Sequence, residues 1–198
     1  MNITVQCSSG DDDAYEIADG SAFAAGGSTI EIVSDSDAGT RTWGGFRFPS
    51  VAVSDPAKVR GAWLQILLDG AGVANLDISA EADVTPDDFG TTPNVVDRVL
   101  TVASVAWVQS LVDGAWHTSP DIRAVIQELM SEPGWASGNP IMLILVGRSD
   151  TGQSLSVFAY NFGAGEFAAK LILDVEPATA LISGFCGRLN LKRPIFRR

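Results

Sequence analysis

Two cysteines, two tyrosines and a single histidine in 198 residues leave this chain short of most catalytic and cross-linking chemistry. Cys7 and Cys186 lie near opposite ends, too few for a disulfide framework. Two reduced core thiols are the first expectation, and a bond joining the termini or two subunits is the second. Any Ser-His-Asp triad or imidazole metal cluster would have to pass through His117. It stands in Trp116-His117-Thr118-Ser119, just before a helix start, which is the setting of a packing or surface residue. No CxxC, GxGxxG, Walker-type loop or HExxH occurs, so enzymatic chemistry is not expected. The longest apolar run, Ile141 to Val146, is far short of the roughly 20 residues of a membrane span. The opening MNITVQCSSGDDD has neither a positive n-region nor an apolar h-region, so no secretory signal peptide is expected.

Basic residues are scarce and unevenly placed. The chain has 24 acids against 13 bases, a net charge of −11. No base precedes Arg41, whereas Asp11, Asp12, Asp13, Glu16, Asp19, Glu31, Asp35 and Asp37 all do. Without clustered Lys and Arg to displace counterions, nucleic acid is not expected as the main ligand. The last twelve residues are the exception, with five bases and no acid, while residues 1–186 carry eight bases and a net of −16.

What is present suits a folded domain: 46% hydrophobic residues and a mean hydropathy of +0.18. Short strand-like runs alternate with turn residues at Ile3–Cys7, Thr29–Val33, Trp43–Pro49, Lys58–Leu68, Asn75–Glu81, Thr101–Trp107, Pro140–Gly147, Leu155–Tyr160 and Leu171–Glu176. So many strands predict an all-β chain with two packed antiparallel sheets. One helix is predicted after Ser119, with Ser119 as N-cap, Pro120 in the first turn and Pro133-Gly134 as the stop. Its apolar stripe is Ile122, Val125, Ile126, Leu129 and Met130. Residues 1–176 are expected to form the domain and 177–198 a basic arm. In the arm, Leu189 and Leu191 fall on one side of an extended segment. The candidate partner-docking residues there are Arg188, Leu189, Leu191, Lys192, Arg193, Ile195, Phe196, Arg197 and Arg198.

Carboxylates are the abundant chemical resource. Asp11, Asp12, Asp13 and Glu16 form a dense group that would suit a structural Ca²⁺ or a solvated acidic loop, although their spacing is not that of an EF-hand. Asp35-Ser36-Asp37 and Asp87-Asp88 are lesser candidates. Among the aromatics, Trp107 and Trp135 sit in apolar surroundings and are expected in the core. Trp43, Trp116, Tyr160 and Phe162 lie near element ends and are the candidates for stacking on a sugar.

Three stretches carry a resemblance: GFRFPSVAVSDPAKVRGAWLQI (Gly45 to Ile66), VASVAWV (Val102 to Val108) and TSPDIRAVIQELMSEPGWASGNPIMLILVG (Thr118 to Gly147). Together with the acidic opening SSGDDDAYE and the final strand AKLILDV, they resemble a β-sandwich module found in bacterial extracellular proteins and phage virion proteins. The most distinctive match is Pro133-Gly134-Trp135-Ala136-Ser137-Gly138-Asn139. The resemblance implies a jelly-roll-like sandwich of the carbohydrate-binding-module kind. It implies no sugar-binding residue, because the matching positions read as core and turn. The leading expectation is a non-enzymatic structural component of a phage virion, assembled in the host cytoplasm. Such a protein would decorate the capsid or belong to the tail or fibre, docking through its arm onto other virion proteins or copies of itself. The alternative is an adhesion module that binds a surface polysaccharide.

Overall fold

The computed structural model describes residues 1–53, 55–149 and 152–176. The expected arm, with Cys186 and its nine candidate docking residues, lies outside the described residues. The strands are β1 (Asn2–Gln6), β2 (Asp13–Ile17), β3 (Phe23–Ala25), β4 (Thr29–Ser34), β5 (Thr42–Phe48), β6 (Val59–Leu67), β7 (Gly72–Ala80), β8 (Val105–Leu111) and β9 (Trp116–Thr118). One helix, α1 (Arg123–Met130), precedes β10 (Ile141–Gly147), β11 (Gln153–Phe158) and β12 (Lys170–Val175). The sheets are antiparallel and pack as the expected sandwich, a four-stranded sheet β1-β12-β6-β9 against a six-stranded sheet β3-β2-β5-β10-β7-β8, with β4 and β11 forming a separate pair.

Period-two alternation builds the core. Ala62, Leu64, Ile66, Leu171 and Leu173 from the smaller sheet meet Phe46, Phe48, Leu76, Ile78, Leu143 and Leu145 from the larger, and all are buried. Each large apolar side chain contributes roughly 1.5–3 kcal/mol on leaving water. The helix lays Ile122, Val125, Ile126, Leu129 and Met130 onto this core, as its spacing predicts.

The apolar run in β10 has a further explanation. Its Met142 and Ile144 point to the opposite face of the six-stranded sheet, where they join Ala14, Phe89 and Val95 in a second small core. The connection between β7 and β8 crosses that face and covers it, so β10 is buried on both sides. Gly45 permits the crossing. A Cβ there would come within 2.3 Å of the Phe89 ring.

Several expectations are corrected. The expected Thr101–Trp107 strand runs instead from Val105 to Leu111. Strands β2, β3 and β9 were not foreseen, and β2 lies where an acidic loop was expected. Asp13 and Glu16 can occupy a strand because backbone N–H groups from other segments meet their carboxylates. The helix begins at Arg123, and Ser119 does not cap it: its Oγ accepts the N–H of Leu64 at 3.0 Å. Asp121 supplies the first-turn acceptor, taking the N–H of Arg123 at 2.9 Å and that of Ala62 at 3.0 Å.

Candidate functional site

The 81–104 connection is held by one buried cation. Arg98 bonds the Glu81 carboxylate at 2.5 Å and the carbonyls of Asn94, Asp87 and Thr92 at 2.8, 3.2 and 2.9 Å, and it lies over the Phe89 ring at 4.8 Å. From the neighbouring strand, Glu16 accepts the N–H groups of Val95 and Val96 at 2.5 and 2.9 Å. These bonds shape a cleft of about 280 Å³ lined by Glu81, Ala82, Asp83, Thr92, Asn94, Asp97, Arg98 and Val99. Three carboxylates against one guanidinium make it acidic. Burial raises the Glu81 carboxyl pKa, an effect that Arg98 only partly offsets. The Oδ1 of Asn94 is buried and has no hydrogen-bond partner among the described residues.

The cleft continues the line of an open strand edge. Beyond β8, the β7 pairing resumes with the Glu81–Leu100 bridge and a bond of 2.7 Å from Ala82 N–H to the Val99 carbonyl. Strand β8 pairs with β7 from Val105 to Leu111, and among the described residues nothing pairs with its other side. Its sequence VAWVQSL contains no charge and no proline. Trp107 and Leu111 turn inward, whereas Val108 is 62% exposed, and Val99, Val102 and Val112 stand exposed on the segments at either end.

The expected calcium set separates. Asp12 is buried, with Oδ2 accepting the N–H groups of Ser8 and Ser9 and the Ser8 hydroxyl, and Oδ1 paired to Arg47 at 3.0 Å. Asp13 faces the Tyr160 N–H at 2.6 Å, Glu16 holds Val95 and Val96, and Asp11 lies against Gly90. Asp12, Asp13 and Glu16 each turn a carboxylate oxygen to protein donors, and among the described residues no group of three or more His, Cys, Asp or Glu side chains is arranged to hold a metal ion. Other acids close turns. Asp19, Asp35, Asp37, Asp83 and Asp88 each accept a backbone N–H two or three residues ahead. Hydrogen bonds to the charged form lower the carboxyl pKa of Asp19, Asp35 and Asp88.

The four candidate stacking aromatics do not share a face. Trp43 packs half-buried against the small core under the 81–104 connection, and Tyr160 packs half-buried against the main core. Phe162 is exposed but stacks on Phe158 at 4.2 Å. Trp116 is on the outer face of the four-stranded sheet, with the Lys170 ammonium 3.8 Å from its ring. Trp63, not among the four, shares that outer face and packs its ring against Gly61, where a Cβ would come within 2.3 Å of it. Trp107 is fully buried, and Trp135 packs against the core while donating Nε1–H to the Val53 carbonyl at 2.8 Å.

The residues considered for reactive chemistry are engaged. His117 donates Nε2–H to the Val112 carbonyl at 2.9 Å. Cys7 has no disulfide partner among the described residues and is buried beside Asp12 and Asp13; burial first, then those two charges, pushes its thiol pKa well above the ordinary value. Sequence reasoning missed both the β8 edge and the cleft. The only signal for the edge was a strand-length run without a charge, and the cleft depends on Arg98 drawing together segments far apart along the chain. No protein-family model matches this chain, and no curated protein matches it in sequence.

Proposed function

We propose that this chain is a non-enzymatic structural component of a phage virion, a capsid-decorating or tail-associated protein that docks onto its neighbours through residues 177–198. The observation that carries the reading is the β8 edge. Folded β proteins normally shorten, charge, bulge or cover such an edge, because it invites another strand. Here seven residues are uncharged, and among the described residues nothing pairs with one side of them. The separation of charge supports the same reading, since residues 1–186 carry a net of −16 and the twelve that follow hold five bases and no acid. The virion setting rests on the sequence resemblance. A chain lacking residues 178–198 is expected to keep its circular dichroism spectrum and to be missing from purified particles. Unchanged incorporation of the truncated chain overturns the reading.

A second reading is supported by Trp63 and Trp116, two indoles on the outer face of the four-stranded sheet. A flat aromatic face of this kind stacks on pyranose rings, so the alternative is an adhesion module for a surface polysaccharide. Affinity electrophoresis in host polysaccharide gels tests it. Retardation that disappears in Trp63→Ala and Trp116→Ala supports glycan binding, and unretarded wild-type protein removes it.

A further inference from the structure

We infer that the β8 edge and the acidic cleft at its end together form the acceptor for the C-terminal segment of a second copy of this chain, with residues 188–193 adding as a strand. The inference rests on the assembly reading above and assigns the surface that the segment meets.

Three observations point to this occupant. The edge offers backbone groups that are unpaired among the described residues, with an exposed valine, and a strand that adds there gains main-chain hydrogen bonds whatever its side chains. Side-chain specificity must then come from the flanks. Val102 and Val108 stand exposed along the line, and at its end is the cleft lined by Val99, Glu81, Asp83 and Asp97. A matching strand therefore needs apolar residues at alternate positions and a cation at one end. Arg188-Leu189-Asn190-Leu191-Lys192-Arg193 has that pattern: Leu189 and Leu191 share one face, and Lys192 and Arg193 follow. An ammonium or guanidinium donates to carboxylate oxygens, so it would reduce the negative charge of the cleft.

Donor and acceptor are different surfaces present in every copy, so the contact is head-to-tail. It can pass from copy to copy or close when two copies exchange segments reciprocally, and in either case donor and acceptor can be spoiled separately. That property permits a complementation test with full-length chains in sedimentation velocity. Wild type is expected to self-associate with rising concentration. Val108→Lys spoils the acceptor, and because Val108 is 62% exposed the fold should survive, as circular dichroism would verify. The double change Leu189→Asp with Leu191→Asp spoils the donor. Each variant alone is expected to be monomeric, whereas an equimolar mixture should form dimers and nothing larger, since only one competent pair remains. Asp83→Asn with Asp97→Asn should weaken wild-type association by roughly tenfold or more.

A Val108→Lys chain that associates like wild type overturns the inference. If that variant also enters particles while the chain lacking residues 178–198 does not, the assembly reading survives and only the docking surface is wrong. A monomeric wild type overturns the assignment to a second copy. If the donor variant then loses thermal stability, the occupant is the chain's own segment.

Discussion

Asp13 has no exposed surface, and its Oδ1 has no hydrogen-bond partner among the described residues. Burial raises its pKa from 3.8 to about 7. The Tyr160 N–H opposes that rise, and the Asp12 charge adds to it. The folded state therefore binds a proton more tightly than the unfolded chain does. Between about pH 4 and pH 7 the native protein holds more protons, so stability falls as pH rises through this window and levels off above it. The loss is on the order of a few kcal/mol. Asp13→Asn stays neutral throughout and keeps an oxygen for Tyr160. Its urea midpoint is expected to exceed that of wild type at about pH 8 and to lose that advantage at about pH 4. Parallel curves at both values would mean that Asp13 ionises like an exposed carboxylate. The sequence marks this residue as one of three adjacent acids and no more, because which of them is buried depends on strands that pair with it from elsewhere.

The connection between β7 and β8 is long for a compact domain, yet it is ordered enough to enclose a core of its own. Arg98 is the reason, because four separate acceptors and a ring meet at one guanidinium. Arg98→Ala would leave Glu81 partly buried without its counter-charge and free three carbonyls. The expected cost is ~3 kcal/mol in urea unfolding, with faster hydrogen exchange at the Val95 and Val96 amides. Arg98→Lys should not restore protection, since one ammonium cannot span these acceptors. Unchanged exchange in Arg98→Ala would show that Glu16 alone retains the segment. Elements with strong periodicity were legible beforehand: the α1 stripe is buried residue for residue, and most strands lie close to their expected positions. The boundaries of β8 were not, because Thr101 Oγ1 and Glu128 draw residues 101–103 into side-chain bonds with Ala80 and with the Val102 and Ala103 N–H groups.

At the scale of the whole molecule, β12 decides where the chain can be cut. It lies between β1 and β6, the Val175 N–H reaches the Met1 carbonyl at 2.8 Å, and the Glu176 N–H reaches the Lys58 carbonyl at 2.8 Å. A chain ending at residue 176 is expected to melt cooperatively. A chain ending at residue 169 loses a central strand and should show no cooperative transition by circular dichroism. Cooperative melting of the shorter chain would mean that β1 and β6 close the sheet without it. The amino-acid sequence by itself determined the class of fold, the single helix, the poverty of catalytic groups and the opposition between an acidic body and a basic end, because periodicity and charge are read locally along the chain. Only the tertiary structure decided which acids are buried, which tryptophans share a face and which strand is left at an edge. Those properties depend on how distant segments pair, and pairing is set by the packing of the whole sandwich.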